Sequence, residues 1–132
     1  MSDEGDPATT IEALLEAARR RLDRLSPQAA RQAQERGAAL VDIRPESQRL
    51  HDGELPAAKV IARNVLEWRL DPASPDRDPE LARRGSQVIV ICNEGYQSSL
   101  VAATLRRFGL DATDVIGGAQ AWIAAGLPVE RT

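Results

Sequence analysis

The chain has 132 residues, 42% of them apolar and 28% charged, with a net charge of -3. This size and composition predict one domain with an aliphatic core, and 17 scattered basic residues argue against nucleic acid as the main partner. No apolar run approaches a bilayer span, and the acidic, polar start lacks the basic and apolar regions of a signal peptide, so a cytoplasmic protein without a membrane partner is expected.

Residues 1–8 read as a disordered tail. From Thr10, "IEALLEAARRRLDRL" places Ile11, Leu14, Leu15, Ala18, Leu22 and Leu25 on one helical face, so residues 9–25 are expected to form a helical extension. The main domain is expected over 26–132. It opens with a helix in "SPQAARQAQERG", with Ser26 as N-cap, Pro27 in the first turn and Gly37 as the stop. "AALVDI" (38–43) is a buried strand, and "ESQRL" is about one helical turn. "AAKVIA" (57–62) reads as a second strand, and "NVLEWRL" as a short helix capped by Asn64. "DPASPDRDP" is a loop, and "ELARRG" a brief helix ending at Gly85. "QVIVIC" (87–92) is the clearest strand, followed by a helix in "SSLVAATLRRFG" with Leu100, Val101, Leu105 and Phe108 facing inward. "ATDVIGG" is a final strand running into a turn, and "AQAWIAAG" is the closing helix. Short apolar strands alternating with helices predict an α/β fold: a central parallel β-sheet with helices on both faces.

The only cysteine, Cys92, ends the best strand. Ligands of open parallel α/β sheets bind beyond the carboxyl ends of strands. Between Cys92 and Ser98 lie "NEGYQ", with Gly95 at the centre. Glycine admits the torsions that turn consecutive N–H groups toward one point, and the helix beginning near Ser98 adds its positive end. Both effects favour a thiolate, so a lowered pKa is expected for Cys92. A lone cysteine ending a buried strand is also often a small hydrophobe, and the pattern by itself leaves both readings open. One cysteine and one histidine are too few for a disulfide or a structural metal site, and no motif implies a cofactor.

Four segments in order resemble the rhodanese family, from about Ala38 to Val129. "LVDIRPESQ" resembles its strand followed by Asp-x-Arg. "GELPAAKVIARN" resembles its Gly-His-Ile-Pro-Gly-Ala segment. "CNEGYQSS" resembles its Cys-x-x-Gly-x-Arg-Ser loop. "VIGGAQAWIAAGLPV" is similar to its C-terminal Gly-Gly-x-x-x-Trp-x-x-x-Gly-Leu-Pro-Val signature. The resemblance implies a parallel sheet flanked by helices and a sulfurtransferase. Cys92 would be the nucleophile that becomes a persulfide, with Asn93, Glu94, Gly95, Tyr96, Gln97 and Ser98 as the substrate loop. Asp42 and Arg44 would be structural support. The implied partners are a small sulfur donor such as thiosulfate and a thiol, cyanide or protein acceptor. Gln97 stands where the family often carries Arg, although some single-domain members carry Gln. Arg63, after another strand end, is a candidate replacement for the missing cation, or a solvated arginine.

Two alternatives accompany this reading: a sulfur-carrier or protein-binding module with little turnover, and a phosphatase or arsenate reductase, which would lack its oxyanion arginine here. Other residues have plainer readings. Trp122 is expected in the core, and Trp68 partly buried or at the pocket mouth. Tyr96 is expected at the pocket rim or in solvent, and His51 in an exposed turn. Glu94 should face outward, or else select an uncharged or cationic acceptor. "ARRR" (18–21) and "LRR" (105–107) read as solvated helix faces.

Overall fold

A computed structural model describes residues 8–131 of the chain; part of the tail expected at 1–8 lies outside the described residues. Four strands, β1 (Ala39–Asp42), β2 (Lys59–Val60), β3 (Gln87–Ile91) and β4 (Asp111–Asp114), form one sheet in the order β2-β1-β3-β4. Every pairing is parallel, with Val41 beside Val90 and Val88 beside Ala112. Among the described residues, six α-helices flank it: α1 (Ile11–Arg19), α2 (Pro27–Glu35), α3 (Glu46–Asp52), α4 (Leu66–Leu70), α5 (Gln97–Arg107) and α6 (Gly118–Ala124).

Alternation along the strands builds two cores. Val41, Val88 and Val90 point to one face, where Leu66 and Leu70 of α4 and Val101, Ala102 and Leu105 of α5 cover them. Leu40, Ile89 and Ile91 point to the other, under Ala30 of α2 and Ala119 and Trp122 of α6. Trp122 is fully buried, as expected, and its indole N–H donates to the Pro128 carbonyl at 2.9 Å. Helix α1 lies outside this two-faced arrangement and packs on α5. Among the described residues, no helix is long and apolar enough to cross a membrane.

The expected first helix was too long. It ends at Arg19, and Leu25 instead pairs with the end of the sheet: its N–H donates to Asp114 O at 3.0 Å and its carbonyl accepts from Ile116 at 2.8 Å. Backbone pairing and burial override the helical periodicity there. "AAKVIA" contributes only Lys59 and Val60, and both are exposed, as befits an edge strand entered from a turn in which Ala57 has φ +59°. Asn64 is not a cap; residues Arg63–Val65 make a 3-10 turn leading into α4, with no side-chain cap. "ELARRG" forms turns, because the Asp78 carboxylate takes the Glu80 and Leu81 N–H groups and the segment is too short to propagate a helix. β4, "DATD", is not apolar; Asp114 within it is fully buried for reasons that belong to the site. Trp68 is 60% exposed and lines none of the cavities around Cys92.

Candidate functional site

The chain steps outward from β1 to β2 and then returns across β1 to β3, so the strand order reverses between β1 and β3. Such a switch point opens a crevice at the carboxyl ends of the strands. Cys92 sits there, directly after β3, with only 2% of its surface exposed. Its neighbour across the gap is held close, since Ile43 N–H donates to Ile91 O at 3.0 Å.

The loop from Asn93 to Tyr96 curls over the thiol. Gly95 N–H donates to Cys92 Sγ at 3.2 Å, with Gly95 at φ +88°. A side chain on Gly95 would put a Cβ 2.8 Å from the backbone of Gly117. Helix α5 starts at Gln97, one residue earlier than expected, and its N-terminal end faces the loop. Cys92, Asn93, Glu94, Tyr96 and Gln97 border a cavity of about 300 Å³ together with Gln48 of α3, which sequence reasoning had not picked out. Glu94 is exposed, yet it borders the thiol cavity rather than turning away from it.

Three sets of contacts fix the loop. The first comes from the Gly-Gly turn: Ala119 N–H donates to Cys92 O at 2.8 Å and Gln120 N–H to Asn93 O at 3.0 Å. A Cβ on Gly118 would lie 2.5 Å from Cys92 O, which explains a glycine at this close approach. The second runs through side chains. Gln120 Nε2 donates to Asn93 Oδ1 at 2.9 Å and to Asp52 Oδ2 at 3.0 Å. Asp52 also pairs with the exposed His51 at 2.7 Å, and chiefly this hydrogen bond holds its carboxyl below the usual range.

The third set corrects the reading of "ARRR" as a solvated face. Arg19 turns inward: Nη2 donates to Gly95 O at 2.8 Å, Nε to Ser99 Oγ at 3.1 Å, and its guanidinium lies over the Tyr96 ring, 5.7 Å from the centroid. Arg24 joins it, with Nη2 to the same Gly95 carbonyl at 3.0 Å and a two-pronged pair to Asp114, Nε to Oδ1 at 2.8 Å and Nη2 to Oδ2 at 3.2 Å. Ser98 and Ser99 hydroxyls both donate to Asp114 Oδ2 at 2.7 Å. This explains the acidic residue buried at the end of β4. Neither arginine was legible as a site residue, because the contacts to Gly95 span 76 and 71 positions and no local motif marks them.

Asp42 and Arg44 lie below the crevice. Both are buried, paired at 2.8 Å, and the Arg44 guanidinium also donates to Gly53 O at 3.0 Å. Arg63 is held by Glu67 at 3.2 Å and borders a neighbouring cavity that Gln97 also touches. Among the described residues, no three His, Cys, Asp or Glu side chains gather to hold a metal ion.

A parallel α/β sheet whose inner strand runs into a buried cysteine, a glycine-centred loop and a helix N-terminus defines a class of protein with a thiol site at a strand end. The chain matches the Rhodanese-like domain over residues 26–125, and it belongs to that family. It is 30% identical over 109 residues to the thiosulfate sulfurtransferase GlpE of Haemophilus influenzae, covering 82% of this chain and 94% of that protein. A Rhodopseudomonas palustris protein of unknown function, described as a possible tyrosine phosphatase, has a similar structure, with a TM-score of 0.83, 30% identity and coverage of 94% and 98% of the two chains. The polysulfide-sulfur transferase homodimer of Wolinella succinogenes gives a TM-score of 0.71 at 25% identity, covering 92% of this chain and 87% of that one.

Proposed function

We propose that this protein is a cytoplasmic sulfurtransferase that carries a sulfane sulfur on Cys92, within a rhodanese-like domain over 26–132 preceded by an N-terminal extension over 9–25 that holds helix α1 (Ile11–Arg19). The observation that carries the reading is the Gly95 N–H hydrogen bond to Cys92 Sγ, at 3.2 Å, in a loop bordering the 300 Å³ cavity. The sulfurtransferase names of the relatives from Haemophilus influenzae and Wolinella succinogenes support it.

In the first step the Cys92 thiolate attacks the outer sulfur of thiosulfate. A sulfur–sulfur bond forms to Cys92, and the donor's own sulfur–sulfur bond breaks with its electron pair leaving on sulfite. In the second step cyanide or a thiolate attacks the terminal sulfur, and the electron pair of the broken bond returns to Cys92. This is two-step covalent catalysis. The Gly95 N–H and the positive end of α5 stabilise negative charge on the transferred sulfur. Two guanidiniums hold the Gly95 carbonyl outward, and in a trans peptide unit this turns the Tyr96 N–H away from them. The chain has no second thiol, so the acceptor must be another molecule. Gln97 offers an anion a neutral hydrogen bond in place of a guanidinium. Asp42 and Arg44 support the end of β1, and Arg63 is committed to Glu67 rather than to the thiol.

Intact mass after incubation with thiosulfate tests the reading. One added sulfur is expected on the wild type and none on Cys92→Ser. A wild type that stays unloaded with thiosulfate and with other sulfane donors would sink it. A protein that loads once but discharges slowly to both cyanide and thiols would instead be a sulfur carrier. Cys92-dependent hydrolysis of an aryl phosphate would favour the phosphatase reading.

A further inference from the structure

A second cavity adjoins the thiol site. Ile11, Glu12 and Leu15 of α1 form one wall, Leu100 of α5 lies opposite, and Tyr96 and Gln97 close the end. It measures about 350 Å³ and is lined almost wholly by apolar surface. Tyr96 and Gln97 also border the Cys92 cavity, so the two spaces share a wall. That wall is braced, since Arg19 lies over the Tyr96 ring while binding Gly95 O. Ile11 is 57% exposed and shares the groove with Leu15 and Leu100, so the apolar surface is contiguous rather than a single scattered side chain. Among the described residues, the charged side chains bordering the two spaces are carboxylates, Glu12 on the groove and Glu94 on the thiol cavity. An anionic tail would be repelled there, and an uncharged one would not.

We infer that the groove between α1 and α5 binds the apolar tail of the sulfur acceptor, so that the acceptor class is an uncharged aliphatic thiol rather than a small anion. The inference rests on the sulfurtransferase reading and specifies its second step. The acceptor lies with its chain along Ile11, Leu15 and Leu100 and its thiolate past Tyr96 at the Cys92 persulfide. The acceptor sulfur bonds to the terminal sulfur, the bond to Cys92 breaks, and its electron pair restores the Cys92 thiolate. The product is the acceptor's own persulfide, and no further oxidant or reductant is needed.

The test uses the full chain, preloaded on Cys92, and follows loss of the added sulfur by intact mass with n-alkanethiols from ethanethiol to hexanethiol. The second-order discharge rate is expected to rise about two- to fourfold per methylene, the range between half and full burial of each group. The same chain ending in a carboxylate should react more slowly. Ile11→Ser should flatten the series; the slope with chain length is compared within each protein, so any general loss of activity cancels. A flat series in the wild type overturns the inference and leaves the persulfide chemistry standing. Failure of Cys92 to load overturns the sulfurtransferase reading instead. Titration with the matching n-alkanols, followed on the methyl NMR signals of Ile11, Leu15 and Leu100, then decides the groove alone. Affinity that rises with chain length at those signals supports it, and no shift there overturns it.

Discussion

Removing Arg24 tests whether the loop is held by the buried pair at Asp114. In Arg24→Ala, Asp114 keeps two serine donors but loses a two-pronged guanidinium at 2.8 and 3.2 Å. Asp114 is fully buried and the Arg24 side chain is only 16% exposed, so solvent screens the pair little. Breaking such a pair costs about 3–5 kcal/mol, because a charge is left buried without its partner. The two serine hydroxyls still solvate the carboxylate, which places the expected loss near the lower end, at about 3 kcal/mol. A domain of this size is stable by roughly 5–15 kcal/mol, so the variant should still fold. Urea unfolding measures the loss. Persulfide formation at Cys92 should slow in the same variant, since Gly95 O keeps one guanidinium, Arg19, and only the long 3.5 Å contact from Ser99 Oγ beside it. In a double-mutant cycle with Asp114→Asn, the double variant should lose less than the sum of the singles. A loss under 1 kcal/mol, the range of an exposed pair, would refute the argument.

Gly118→Ala should cost at least 2 kcal/mol and abolish persulfide formation, because the new Cβ meets Cys92 O at 2.5 Å in a left-handed backbone at φ +61°. Gly126→Ala, also left-handed but with open space at Cβ, should cost only about 1 kcal/mol and leave loading intact, by the same unfolding and mass assays. Gln97→Arg should lower the thiosulfate concentration for half-maximal loading by about three- to tenfold, through a charge-assisted hydrogen bond at an exposed site. Burial would raise the Asp78 carboxyl, but Lys59 at 3.0 Å and the Glu80 and Leu81 N–H groups outweigh it and hold it below the usual range. A depressed folded pKa contributes stability above the unfolded value and loses it as pH falls through the folded one. Unfolding free energy should therefore drop below about pH 4, and Asp78→Asn should flatten that slope.

The strands legible in the sequence were those buried on both faces. The inner positions of "ALVD" and "QVIVI", Leu40, Val41 and Val88 to Ile91, are buried on both faces, so burial leaves short continuous apolar runs. β2 and β4 escape that logic. β2 is a two-residue edge, and β4 spends Asp114 on the serines and Arg24 rather than on aliphatic packing. The cysteine loop was legible because strand, glycine and helix start are contiguous in the chain. Its brace was not. Arg19 lies in a basic helix turn that looks solvated, and only the packing of α1 on α5 brings it to Gly95. Leu25 misled for the same reason: its helical spacing fits, but its backbone partner is Val115, distant in sequence.

The loop around Cys92 is gripped by the first and last parts of the chain, Arg19 and Arg24 on one side and Ala119 and Gln120 on the other. Contacts of such long reach close late, since the chain must pay the entropy of distant closure before they form. The brace that holds the thiol's loop in place is therefore expected to close late in folding. As the chain emerges from the ribosome, Cys92 appears before α6, and its loop stays slack until the Gly-Gly turn docks. On the proposed function, competence to load Cys92 should then lag behind formation of the sheet, and loading measured during refolding checks this.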